Sequence, residues 1–126
     1  MKPYFFIILA CLLCSGVPLA QGDNKPYVKN PVIKSGKSYE TCFQLYSGDK
    51  VFYSFDSRAE LRFNIHYHKG KEVHYPVPVR LVSSKKSVFE AEIDNQYCLM
   101  WKNPGKETVE MNLQYHLQTI KSAGNK

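Results

Sequence analysis

Past its first dozen or so residues this chain of 126 residues has no apolar run near the roughly 20 residues that carry a helix across a bilayer. A membrane helix in the body of the chain is thereby excluded. The body also lacks the 3.6-residue apolar period of amphipathic helices, which argues against all-α and α/β architectures. There is no internal repeat and no sign of a second domain. Catalytic signatures are sparse too. Ser83, Ser84 and Ser87 have no Gly-x-Ser-x-Gly setting, and the histidines have no nucleophile beside them in sequence. Glu90, Glu92 and Asp94 alternate along one strand face, which reads as surface rather than as a glycosidase acid and nucleophile. No nucleic-acid motif is present, no cofactor is expected, and the chain is read as non-enzymatic. Acidic residues are outnumbered, 11 against 17 Lys and Arg, for a net charge of +6.

What is present first is an export signal, residues 1–20. Lys2 supplies a positive start, Tyr4 to Leu13 is almost unbroken apolar chain, and Ser15, Gly16 and Pro18 end it before Ala20. The localisation expected is secreted or periplasmic. A minority reading takes Ile8-Leu9-Ala10-Cys11 as a lipoprotein cleavage site with a lipid anchor on Cys11. Removal of residues 1–20 takes away Lys2, Cys11 and Cys14, so the charge becomes 16 − 11 = +5 and two cysteines remain, Cys42 and Cys98. An even pair in an oxidising compartment is expected to be a disulfide joining strands near opposite ends of the domain. On the chain-entropy model so long a loop contributes about 4 kcal/mol.

The body alternates apolar and polar residues at the strand period of two. Leu61-Arg62-Phe63-Asn64-Ile65-His66-Tyr67-His68 is a half-buried strand, and Val109 to Leu117 repeats the pattern. Shorter runs occur at Val51–Phe55, Val73–Val79, Phe89–Ile93 and Tyr97–Trp101. Turn residues separate them at Ser47-Gly48-Asp49-Lys50, Lys69-Gly70-Lys71, Ser83-Ser84-Lys85-Lys86, Asp94-Asn95 and Asn103-Pro104-Gly105-Lys106. The expectation is an all-β, antiparallel β-sandwich or jelly roll of seven or eight strands with one disulfide. Phe63, Ile65, Tyr97, Trp101, Met111 and Leu113 should be buried, and Arg62, Asn64, Glu110 and Asn112 should face water. Pro76 and Pro78 lack amide hydrogens, so their strand belongs at an edge.

Three segments carry a family resemblance: Thr41-Cys42-Phe43-Gln44-Leu45, then Gly48-Asp49-Lys50-Val51 with Tyr53-Ser54-Phe55, and Tyr97-Cys98-Leu99-Met100-Trp101-Lys102-Asn103. Together they resemble a GOLD (Golgi dynamics) domain over about residues 38 to 118. The resemblance implies a disulfide-linked sandwich on Cys42 and Cys98 and a role in protein or lipid contact. The coiled coil, membrane helix and sorting tail of the cargo receptors have no counterpart in this sequence, so their trafficking role does not carry over. The chain then divides into the signal at 1–20, an N-terminal extension at 21–36, the GOLD-like domain at 37–118 and a flexible tail at 119–126.

The leading functional expectation is an exported binding module that meets a protein or lipid partner through loops and a sheet edge. Tyr67, Lys69, Lys71, His74 and Tyr75 are the partner-binding candidates. A second reading is a metal site: His66 and His68 share a strand face, and with Glu72 and His74 they give a His-x-His-x-x-x-Glu spacing similar to a cupin's first metal motif. Its flanking glycines are absent and the histidines oppose the apolar face, so no metal is expected and a solvated histidine face is preferred. A third reading is a binder of polyanionic glycans or surfaces, using Arg62, Lys69, Lys71, Arg80, Lys85 and Lys86 among Tyr53, Tyr67 and Tyr75.

Overall fold

A computed structural model describes residues 25–120. The signal with Cys11, and residues 121–126 of the expected tail, lie outside the described residues. Among the described residues there is no helix, hence none long and apolar enough to cross a membrane. Seven strands run in order: β1 (Tyr27–Lys29), β2 (Val32–Ile33), β3 (Ser38–Leu45), β4 (Lys50–Lys69), β5 (Glu72–Glu90), β6 (Asn95–Lys102) and β7 (Val109–Gln118). All pairings are antiparallel, in the order β1-β7-β4-β6-β3, with β5 also on β4 and β2 on β7.

The long β4–β5 hairpin organises the fold. The first part of β4, from Lys50 to Ser57, pairs with β7, whereas Arg62 to Tyr67 pairs with β6. β5 runs along the other side of both parts. A register irregularity between Asp56 and Leu61 bends β4 between its two neighbours, and the sheet curls into two facing halves. Val51, Tyr53, Phe55, Met111 and Leu113 line one inner face, and Leu61, Phe63, Ile65, Tyr97, Leu99 and Trp101 line the other. Aromatic rings bridge them: Phe55 meets Trp101 edge-on at 5.4 Å and Phe63 at 4.9 Å, and Phe43 reaches Tyr115 at 5.0 Å. Each such pair contributes about 0.5–1.5 kcal/mol beyond burial alone.

The all-β antiparallel fold, its strand number at seven and the Cys42–Cys98 bond agree with the sequence reading. Five particulars differ. Ser57 to Glu60 continue β4, joining two strands expected to be separate. Ser83 to Lys86 make no turn but continue β5, with Ser84, Lys85 and Lys86 paired to Asp56, Phe55 and Ser54, because Ser and Lys suit a strand whose outer side is solvated. The stretch read as an N-terminal extension supplies β1 and β2, both paired to β7, so the sheet begins at Tyr27. Asn64 and His66, placed on a solvated face, are buried at 1% and 5% exposure. The disulfide joins neighbours, not distant strands: Cys42 and Cys98 are directly opposed across β3 and β6, with Cα atoms 4.0 Å apart. The prolines behave as anticipated, since β5 pairs only with β4 and its register shifts fall opposite Asn64 and His66, where Pro78 and Pro76 lie.

Candidate functional site

The tip of the β4–β5 hairpin is built by sequence-local chemistry. Gly70 takes the left-handed conformation (φ 61°) that a two-residue turn between Lys69 and Glu72 requires. Pairing then sets Tyr67 opposite His74, and their rings stack at 5.0 Å with planes 9° apart. Tyr67 also meets Tyr97 edge-on, and His74 Nε2 lies 3.1 Å from Glu72 Oε2. A cleft of about 370 Å³ opens beside this stack, lined among others by Tyr67, His74, Tyr75, Glu90 and Glu92. Three of the five partner-binding candidates thus share one cleft. Lys69 and Lys71 stand exposed at the turn itself.

The cleft's floor resists ionisation. Burial pushes the Tyr97 phenol above its ordinary value, and the negative charges of Glu92 and Asp94 add to this, while the hydrogen bond it accepts from the Ile93 amide opposes it. Its hydroxyl donates to the Ile93 carbonyl at 2.8 Å.

Along β5 apolar side chains stand exposed among polar ones. Val73, Tyr75, Val79, Leu81 and Val88 are each two-fifths to one-half exposed. Beyond β5 no further strand pairs among the described residues, leaving its outer backbone groups as a free edge.

The set of three histidines and Glu72 is divided by the bulge at Tyr75-Pro76. His74 sits over Tyr67, whereas His66 lies near His68 and Tyr75 on the outer face, with ring centroids 5.4 Å and 5.9 Å away. His66, His68, Glu72 and His74 therefore do not converge as a cupin-like set. His66 instead joins residues the sequence reading did not select. Its Nδ1 lies 2.8 Å from Asn64 Oδ1, and its Nε2 lies 3.3 Å from Glu40 Oε1. Glu40 Oε1 is also 3.4 Å from Cys42 Sγ. Glu40 and Cys42 share a face of β3, as positions two apart must, but their meeting with β4 across β6 leaves no trace in sequence spacing.

The basic residues do not gather either. Tyr53 is buried, the Lys85 ammonium lies 5.5 Å over the Phe63 ring, and Lys69 and Lys71 stand at the far end of the hairpin from Lys86. A shallower hollow of about 450 Å³, which the sequence did not reveal, surrounds the stacked rings of Phe52 and His116 with Lys86 and Gln114 at its rim.

No protein-family model matches the chain, and no curated protein sequence does so. Solved structures do resemble it. The Yersinia pseudotuberculosis-derived mitogen (YPM) superposes with a TM-score of 0.56 at 11% identity, covering 82% of this chain and 92% of the mitogen. A de novo designed double-stranded β-helix gives 0.43 at 13% identity, over 71% and 99% of the two chains. The GH115 4-O-methyl-α-glucuronidase BtGH115A gives 0.42 at 16% identity, over 70% of this chain and 14% of the enzyme. The likeness to the mitogen is one of fold alone.

Proposed function

We infer that this chain is an exported, non-enzymatic binding module that takes up an extended segment of a partner protein along the free edge of β5. The observation that carries this reading is the edge itself: a 19-residue strand with no neighbour on its outer side among the described residues and five exposed apolar side chains. Such an edge offers backbone hydrogen bonds for affinity and alternate side chains for selectivity, as in β-augmentation. Pro76 and Pro78 remove donors from the first part, so the template is the stretch from Val79 to Val88. Arg80 and Lys86 in that stretch favour carboxylates in the partner. The resemblance of the cysteine-bearing strands to GOLD domains supports a contact role of this kind, and the disulfide fits an extracytoplasmic site.

The test is selection of displayed peptides on the oxidised protein, followed by hydrogen exchange on the complex. Extended apolar–acidic segments should be recovered, they should protect amides of Val79 to Val88, and V79K/L81K should abolish capture with little change in melting temperature. Protection confined to other strands, or capture unchanged in V79K/L81K, refutes the edge. Binding to anionic vesicles in place of peptides would transfer the role to lipid. Binding of sulfated glycans that fades steeply with salt would transfer it to polyanions.

A further inference from the structure

On the outer face of the sheet, one row of residues crosses three strands. His66 of β4 is paired with Cys98 of β6, and Cys98 with Cys42 of β3. Glu40 lies two residues before Cys42 on the same face and closes the row over His66. One ligand atom from each of Glu40, Cys42 and Cys98 lies within 4.8 Å of the others. His66 joins that set through Glu40, and two of the separations lie near the edges of a coordination tetrahedron. Zinc–ligand distances require about 3.3–3.5 Å between an imidazole nitrogen and a carboxylate oxygen, and about 3.5–3.7 Å between a thiolate and that oxygen. Here Nε2 to Oε1 is 3.3 Å and Oε1 to Cys42 Sγ is 3.4 Å.

The polarity of the row points the same way. Asn64 Oδ1 can only accept, so the Nδ1 of His66 must carry a hydrogen and donate it. This leaves Nε2 facing a carboxylate oxygen, which is also an acceptor. Two acceptors that face each other at 3.3 Å make a cradle for a cation. A buried amide fixing Nδ1 so that Nε2 is presented outward is the arrangement that orients a ligating histidine.

The geometry points to a masked metal centre: Glu40, Cys42, His66 and Cys98 bind one divalent ion of the zinc class when the cysteines are dithiol, and the Cys42–Cys98 bond excludes it. The dithiol is the form the chain has before oxidation. It is regenerated from the disulfide by a phosphine, which breaks the S–S bond and leaves two thiols, the phosphine taking up the oxygen of one water as its oxide. The ion then displaces both thiol protons. Closing the disulfide takes two electrons from the thiolates to molecular oxygen, which leaves as hydrogen peroxide with two protons from solvent, and releases the ion.

The experiment titrates Co²⁺ into the mature protein in its oxidised form, and, after phosphine reduction and removal of excess reagent without oxygen, in its reduced form. The reduced protein should take up one Co²⁺ per chain with thiolate charge-transfer and tetrahedral d–d absorption, and Zn²⁺ should displace it. The oxidised protein and the reduced C42S/C98S should show neither band. Reduced H66A and E40A should bind more than tenfold more weakly. Absence of the thiolate band in the reduced protein overturns the inference, and so does unchanged binding in H66A and E40A, which would mean two thiols acting alone. If reduction abolishes the β-sheet circular dichroism, added Zn²⁺ should restore it, and failure to do so also overturns the site.

Discussion

Asn103 provides a sharp test of how this sandwich is closed at one end. Its side chain is buried where β6 ends, and Nδ2 donates to the Ile33 carbonyl at 2.9 Å and the Glu107 carbonyl at 2.7 Å. Oδ1 accepts from the Gly105 amide at 2.9 Å. One amide thus ties β2 to the loop between β6 and β7. N103A removes all three bonds. Glu107 and Gly105 are exposed and can turn to water, whereas the carbonyl of buried Ile33 loses a bond that water does not replace. At about 1 kcal/mol for each of the three bonds, the expected loss is about 3 kcal/mol. For a domain of this size that is a fall of about 12–20 °C in Tm. N103D has the same shape, yet at neutral pH it sets a carboxylate oxygen against two carbonyl oxygens, so it should cost more than N103A. The introduced carboxyl is neutral more readily in the fold than in the unfolded chain, so its folded pKa lies above about 3.9. Its protonated form donates to one carbonyl. Stability lost at pH 7 therefore returns as pH falls through that folded pKa, relative to wild type at each pH. Urea unfolding of the oxidised proteins at pH 7.5, 5 and 4, followed by Trp101 fluorescence, reads all three. If N103D lies within about 1 kcal/mol of wild type at pH 7.5, or if the gap between N103D and N103A does not narrow in acid, the hydrogen-bond assignment is wrong.

Loss of the disulfide in C42S/C98S should cost about 4 kcal/mol from the freed loop, and denatured, unreduced mature protein should show no reactive thiol, with full labelling of both cysteines as the contrary result. Trp101 is fully buried, and its indole N–H has no hydrogen-bond partner. W101F, which strands no polar group, should therefore cost less than about 2 kcal/mol, against about 3–5 for W101A, and equal losses would refute this. The phenols of Tyr39, Tyr53 and Tyr97 are all raised from 10.0, chiefly by burial. Stability is then intact below the unfolded value near pH 10 and falls as pH climbs through the folded values. Urea midpoints that stay flat or rise from pH 9 to 11 would count against it.

The residues alone determined a good deal, because a strand buried on one face must alternate. Phe63, Ile65, Tyr97, Trp101, Met111 and Leu113 all lie in the core as the period of two requires, and Arg62, Glu110 and Asn112 face water. The tight turn at Gly70 and the edge position of the strand bearing Pro76 and Pro78 follow equally from local backbone chemistry. Local rules failed where a residue's surroundings come from strands remote in sequence. Ser83 to Lys86 has turn composition but continues β5, since Ser54 to Asp56 offers Ser84 to Lys86 a partner within the hairpin. Asn64 and His66 read as solvated because alternation says only which face a residue takes, not what lies beside it there. Only the stacking of β4, β6 and β3 side by side brings Glu40, two cysteines and His66 together. Alternation is a property of neighbours along the chain, whereas sites of this kind are properties of neighbours across it.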